Sequence, residues 1–572
     1  MAFVKFAVQI SRDNRWIVDT LFEDEAKAKA QAQKLVKDPK NDGVRIQREK
    51  RRADGSYDEE VVFESLKKGD KKKDYSLVEI TAAPLCETLS ELYAQPSRQT
   101  IGRLFTRYLD DVVLTPTELL CSYRELKRLM DMDIVQTAVD KVSTLQANAT
   151  GTDGRARRDA LFGLLDQALA RARKASEKTD LPQVKSLGFA EAVKRIDASA
   201  PEAERDFLAH VALSRDLADK RSWTGKIEMV LGEMDKATSD RPLALLDAML
   251  ADLLGARGVL GEMFGNVPHL GAMLLRIMDL SLGRLAIPAG GRPSPDLLAA
   301  INQRLGSGRM PESRAELEGQ FQRQVKSTQP LVKSEPTAEI EAFRQIIGRV
   351  VTADEIYGGS IVAEALTLRY SRFLPQGGAV GRREAITVVT SYLPTAIQQV
   401  RFLIALADTE LGREQMNFTI TTLETLIGRA QRMEDIVGLQ GTPKTRMLEI
   451  TQIYGFLKET TLLPSRVTAP LAEKLDSLVA DFLVNNQILE KLDNPADSLR
   501  VRAQRLVQFC TSGVLPEGRA FTMGRDRVLL LLRQPKFDEK FVADLPDPAA
   551  REKALREFHR ILATSNFLGD RK

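Results

Sequence analysis

The sequence predicts a mainly α protein: a small N-terminal α+β head of ββαββ order, followed by two multi-helix lobes related by internal duplication. Three observations predict it. Up to about residue 66, apolar and polar side chains alternate with period two on either side of one alanine-rich stretch. From about Thr81 onward, apolar residues recur at helical spacing. Residues 242–263 and 470–492 then share an ordered pattern that helical periodicity alone does not explain.

In the head, Val4, Phe6, Val8 and Ile10 alternate with Lys5, Ala7 and Gln9, the mark of a half-buried strand. Residues 11–15 read as a turn and 16–22 as a second strand. Glu23-Asp24-Glu25 opens a helix running to about Lys37, its acidic first turn suiting the positive end of the helix dipole. Residues 44–52 and 57–63 form two more strands around Asp54-Gly55, a hairpin signal. One helix covers one face of such a sheet. The other face must meet something else, and self-association through it is one expectation.

This second hairpin is charge-polarised. Arg45, Arg48, Lys50, Arg51 and Arg52 lie on one arm, and Asp58, Glu59, Glu60 and Glu64 on the other. The basic arm can receive phosphate, or the arms can pair their charges across the strands. Pairing is the simpler reading. A sheet that binds single-stranded RNA presents stacking aromatics beside its basic residues. Here the aromatics sit mainly on the first two strands, where they serve a core.

Residues 67–80 are a charged linker built on Lys67-Lys-Gly-Asp-Lys-Lys-Lys73. The first helical lobe takes residues 81–305. Leu85, Leu89 and Leu92 recur on one helix face, as do Leu119, Tyr123, Leu126 and Met130, and Leu161, Leu164, Leu165 and Ala168. Residues 306–337 are polar, carry Pro311, Pro330 and Pro336, and read as a flexible connector. The second lobe takes residues 338–572.

The duplication rests on punctuation. Asp247 aligns with Asp476, Ala251-Asp252 with Ala480-Asp481, Leu254 with Leu483 and Leu260 with Leu489. Asn266 and Asn494 follow, each with a proline close behind. Gly283 and Pro288, then Gly513 and Pro516, close the next helix, and apolar helices at 297–305 and 528–532 come after. A weaker match pairs Glu191-Ala-Val193 with Glu384-Ala-Ile386. Any two amphipathic helices align their leucines; the order of Ala-Asp, Asn near Pro, and Gly then Pro does not follow from that.

Composition bounds the function. A chain of 572 residues exceeds one ordinary core. Its 83 basic and 79 acidic residues leave a net charge of +4, which argues against a dedicated nucleic-acid coat and permits only local basic patches. Cys86, Cys121 and Cys510 are far apart and read as buried free thiols in a reducing compartment. The N-terminus lacks a signal-peptide pattern, and no apolar stretch reaches the roughly 20 residues a membrane span needs. A cytoplasmic protein is expected.

Chemistry is sparse. His210 lies one helical turn after Asp206, a pair that can orient a general base or a metal ligand, although a helix-surface pair explains it as simply. Asp110-Asp111 and Glu434-Asp435 are paired carboxylates of the kind that helix ends collect. Gly358-Gly359 and Gly377-Gly378 lack the spacing of a phosphate loop. No catalytic residue, metal ligand or cofactor is assigned. The arginines after the Gly–Pro punctuation, Arg292 in the first lobe and Arg519, Arg525 and Arg527 in the second, are candidate contacts for a phosphate or an acidic partner. The expected function is a non-enzymatic adaptor or scaffold for a protein partner. The alternatives are a nucleic-acid binder using the basic hairpin and linker, and an enzyme or small-ligand sensor with a pocket between helices.

Overall fold

The computed structural model describes residues 4–12, 15–38, 41, 43–51, 57–66, 75–287, 295–333 and 336–564. The chain is mainly α, with a four-stranded antiparallel sheet at its N-terminus and thirty-one helices among the described residues. It divides into two compact units, Met1–Phe321 and Gln322–Lys572.

The head runs β1 (Val4–Arg12), β2 (Arg15–Phe22), α1 (Glu25–Val36), β3 (Gly43–Arg51) and β4 (Tyr57–Leu66). The strand order is β2-β1-β3-β4. Asp24 starts α1 by accepting the Lys27 N–H at 2.8 Å, which satisfies one of the orphan donors of the first turn. The alternation of β1 puts Phe6, Val8 and Ile10 on one face, where they bury with Ala28, Ala32, Val44 and Ile46. Pairing shifts register at Val8/Gln9 and again at Ile46/Gln47. Beside these irregularities Gln9 and Gln47 are buried and joined amide to amide at 3.0 Å.

The first unit continues through helices packed on a core that includes Leu104, Tyr108, Leu119, Leu126 and Leu164. The spacing from Leu119 to Met130 suggests a continuous helix, but the structure breaks it at Ser122. Pro116–Cys121 and Tyr123–Met130 are separate helices. The Ser122 hydroxyl accepts the Glu125 N–H at 3.4 Å, and Thr115 and Glu118 form a reciprocal cap on the helix before it.

The stretch expected to be a flexible connector holds the helix Pro311–Lys326. Pro311 is the first helical residue, where its missing N–H costs nothing, and Ser313, Leu317 and Phe321 bury one narrow stripe.

Candidate functional site

The sequence-selected arginines are largely held by their neighbours. Arg45 lies 4.5 Å over the Trp16 ring and donates its Nε–H to Gln9 Oε1 at 2.6 Å. Arg48 forms an ion pair with Glu60, the residue opposite it in register. Lys50 stands opposite Asp58, and Arg51 opposite Tyr57. Arg527 Nε binds Asp493 Oδ2 at 2.5 Å, and Arg502 binds the other oxygen of the same buried carboxylate. Arg519 reaches Asp481 at 3.5 Å across an exposed surface. Arg525 lies on the Arg519–Leu532 helix. Arg52, Arg292, the 53–56 turn and the Lys67–Lys73 run lie outside the described residues.

The paired carboxylates are also engaged. Asp206 binds Arg241 at 2.6 Å, while the half-buried His210 turns its Nε2 to the Leu245 carbonyl at 3.2 Å. Burial holds the His210 ring below its ordinary pKa, with Arg98 adding to the effect. Asp111 accepts the Tyr75 hydroxyl at 2.6 Å. Glu434 pairs with Arg446, and Asp435 takes the N–H groups of Gln431 and Arg432. Among the described residues no group of three or more metal-ligating side chains comes together. The three cysteines are free and buried. Burial raises the Cys86 thiol and pushes those of Cys121 and Cys510 up to about 12, so they stay protonated and unreactive.

The polar side chains that converge in the first unit come from distant segments and share no linear pattern. Arg98 binds Asp252 Oδ1 at 3.1 Å, Glu312, and the carbonyls of Tyr93 and Ala248. Asp252 Oδ2 takes the Thr117 hydroxyl at 2.6 Å and its N–H at 2.9 Å. Beside them Lys226, fully buried, binds Glu118 Oε1 and the Val113 carbonyl, each at 2.6 Å. Such pairs repay their desolvation only when their remaining donors and acceptors find partners, and main-chain carbonyls and N–H groups supply partners to each of these side chains.

Asp247 and Asp476, aligned by sequence, make the same arrangement. Asp247 lies on the Asp240–Gly255 helix and receives the N–H groups of Glu312 and Ser313 at 2.8 and 3.1 Å. Asp476 lies on the Ser465–Asn485 helix and receives those of Arg519 and Ala520 at 2.5 and 2.9 Å. Each carboxylate thus closes the N-terminus of a later helix, where the dipole favours an anion. The helix so clamped in the first unit is Pro311–Lys326 rather than the apolar 297–305 stretch matched from sequence. The neighbouring aspartates differ: Asp252 is buried with Arg98, and the side chain of Asp481 is exposed.

In the second unit, Arg369 is buried and gathers the carbonyls of Gln324, Val325, Ser327 and Gln329. Only a planar fork with several donors does this, a role lysine cannot take.

A cavity of about 90 Å3 lies among the helices of the first unit, walled by Leu104, Leu119, Leu126, Ala138, Val139 and Leu161 among others. At about 24 cal/mol per Å3, unfilled space of this size forgoes about 2 kcal/mol of packing.

Compared with known proteins, the chain matches no family model, no curated protein and no solved structure. No helix among the described residues is long and apolar enough to cross a membrane.

Proposed function

We propose that this chain is a cytoplasmic, non-enzymatic adaptor that binds other macromolecules through two helical units derived from one duplicated ancestor. The observation that carries the reading is the aspartate clamp. Asp247 and Asp476 sit at aligned positions, and each closes the start of a later helix by accepting two successive backbone N–H groups. Two copies of one helical unit in a chain give two related surfaces, and tandem surfaces raise avidity for a partner that engages both. The head adds a third element. Val18 and Leu21 on its edge strand β2 are exposed and suit self-association. A nucleic-acid role is the weaker reading, because Arg45 and Arg48 are already engaged by Trp16 and Glu60.

The test is cross-linking of the full chain in its native lysate, followed by mass spectrometry of the isolated complex. Cross-links from one stoichiometric partner to both 202–321 and 396–532 are expected. A chain that sediments as a lone monomer in that lysate, with no stoichiometric partner, rules the adaptor out.

A further inference from the structure

The cavity in the first unit carries an inference that goes beyond the adaptor reading and does not depend on it. Its wall is almost wholly hydrocarbon, and its described lining includes no Asp, Glu, Lys, Arg or His. The polar groups at its edge are already engaged, the Ser97 hydroxyl with the Cys86 thiol. The Thr100 hydroxyl donates to the Pro96 carbonyl at 2.8 Å. The Gln146 amide donates to the Pro84 carbonyl and accepts the Arg157 Nε–H at 2.7 Å. The Cys86 thiol points to the Thr88 carbonyl at 3.8 Å.

These facts decide what can occupy the space. A buried water needs two to four polar partners, and none is left over here for it. A charged or strongly polar molecule would lose its hydration with nothing to replace it. Protein interiors are otherwise packed so that few voids exceed the size of a water. A dry cavity of about 150 Å3 lined by leucine, isoleucine and phenylalanine takes up benzene or xenon, and this one is smaller but alike in lining. Much of its wall comes from regular helices, including Gln95–Leu104, Pro116–Cys121, Tyr123–Met130, Ile134–Thr150 and Gly154–Ser176, so its shape is set by the fold.

We propose that this cavity is a partly open binding pocket for a small uncharged apolar molecule, a short hydrocarbon segment or a compact ring, lined mainly by the helices between Gln95 and Ser176. Binding would tighten the first unit by filling space that its own side chains leave open.

Xenon and benzene are the probes, applied to the full-length protein. Xenon under pressure is expected to shift the 13C-methyl resonances of Leu104, Leu126, Val139 and Leu161. Benzene is expected to raise the unfolding temperature of the first unit in a saturable way. Ala138→Leu, which puts a larger side chain into the space, should abolish both responses. Leu161→Ala, which enlarges it, should bind benzene more tightly than the wild type. It also keeps the test decisive if Ala138→Leu does not fold. Methyl resonances unmoved by xenon, with no benzene response in either the wild type or Leu161→Ala, would overturn the proposal. So would a benzene response that a folded Ala138→Leu variant retains in full.

Discussion

Gln487 and Gly258 hold the same left-handed backbone conformation, at φ +49° and +74°. Each stands directly before a short helix, Ile488–Leu492 and Val259–Phe264, and at the same sequence distance beyond its clamp aspartate, 476 to 487 and 247 to 258. Chance alignment of leucines does not place a left-handed residue at the matching position of two chain segments. A residue with a Cβ is strained there by about 1–2 kcal/mol, whereas glycine is not. Gln487→Gly is therefore expected to stabilise the second unit. Part of the gain is lost to glycine's freedom in the unfolded chain, about 0.4–1 kcal/mol, which leaves roughly 0.5–1 kcal/mol. Gly258→Gln should destabilise the first unit by a similar amount. Urea midpoints read the two changes, and a loss of stability in Gln487→Gly would contradict the assignment.

The clamps predict a larger effect. Removing either carboxylate leaves two main-chain N–H groups without their acceptor, a cost of about 3 kcal/mol. Asp476→Ala should speed amide hydrogen exchange at Arg519 and Ala520 on the order of a hundredfold, and Asp247→Ala should do the same at Glu312 and Ser313. Gly518→Ala offers an independent check. A Cβ there would stand 2.3 Å from an Asp476 carboxylate oxygen, so the substitution should open the clamp without touching the acid. Unchanged exchange in these variants would mean that the helix ends are held by something else.

Lys226 and Glu118 are both almost wholly inaccessible, their side chains 1% and 2% exposed. Breaking such a pair from one side strands a buried charge, at about 3–5 kcal/mol. Lys226→Met alone should cost that much. Adding Glu118→Gln should restore a large part of it, because Gln keeps an acceptor for the Thr115 N–H that Glu118 now holds at 2.9 Å. The double-mutant cycle measures the coupling directly. Additive losses would show that the two charges do not depend on each other.

The head was legible nearly residue by residue. Strand alternation, the acidic start of α1 and the opposed charges of the second hairpin are local signals, and local geometry obeys them. The Pro311–Lys326 helix was not legible, because polar composition and flanking prolines imitate a connector, and only the burial of Ser313 and Leu317 gives it away. The Arg98–Asp252 seam was also silent. Its members come from segments more than a hundred residues apart, and no linear pattern joins them. Asp247 and Asp476 align in sequence, but their shared work at a helix end is a property of three dimensions. The cavity left no trace in sequence, since its walls are the same leucines and valines that make any helical core.

His210 gives the first unit a pH dependence of defined sign. Burial, with help from the positive charge of Arg98, keeps its ring neutral below the ordinary value. The Leu245 carbonyl, Asp252 and Asp206 pull weakly the other way. In the unfolded chain the ring takes up a proton near pH 6.5. Below that pH the unfolded state binds more protons than the folded one, so stability falls as pH falls, by up to about 1.4 kcal/mol per pH unit. Asp216 and Asp247 work in the opposite sense, because burial raises their carboxyls above the ordinary value. Comparison of the wild type with His210→Gln removes their contribution, since both proteins share it. The urea midpoint of the first unit, followed through the fluorescence of the buried Trp223, should fall as the pH drops below about 6.5 in the wild type. In His210→Gln that decline should be markedly flatter. Parallel profiles would show that the ring stays accessible to protons in the folded state.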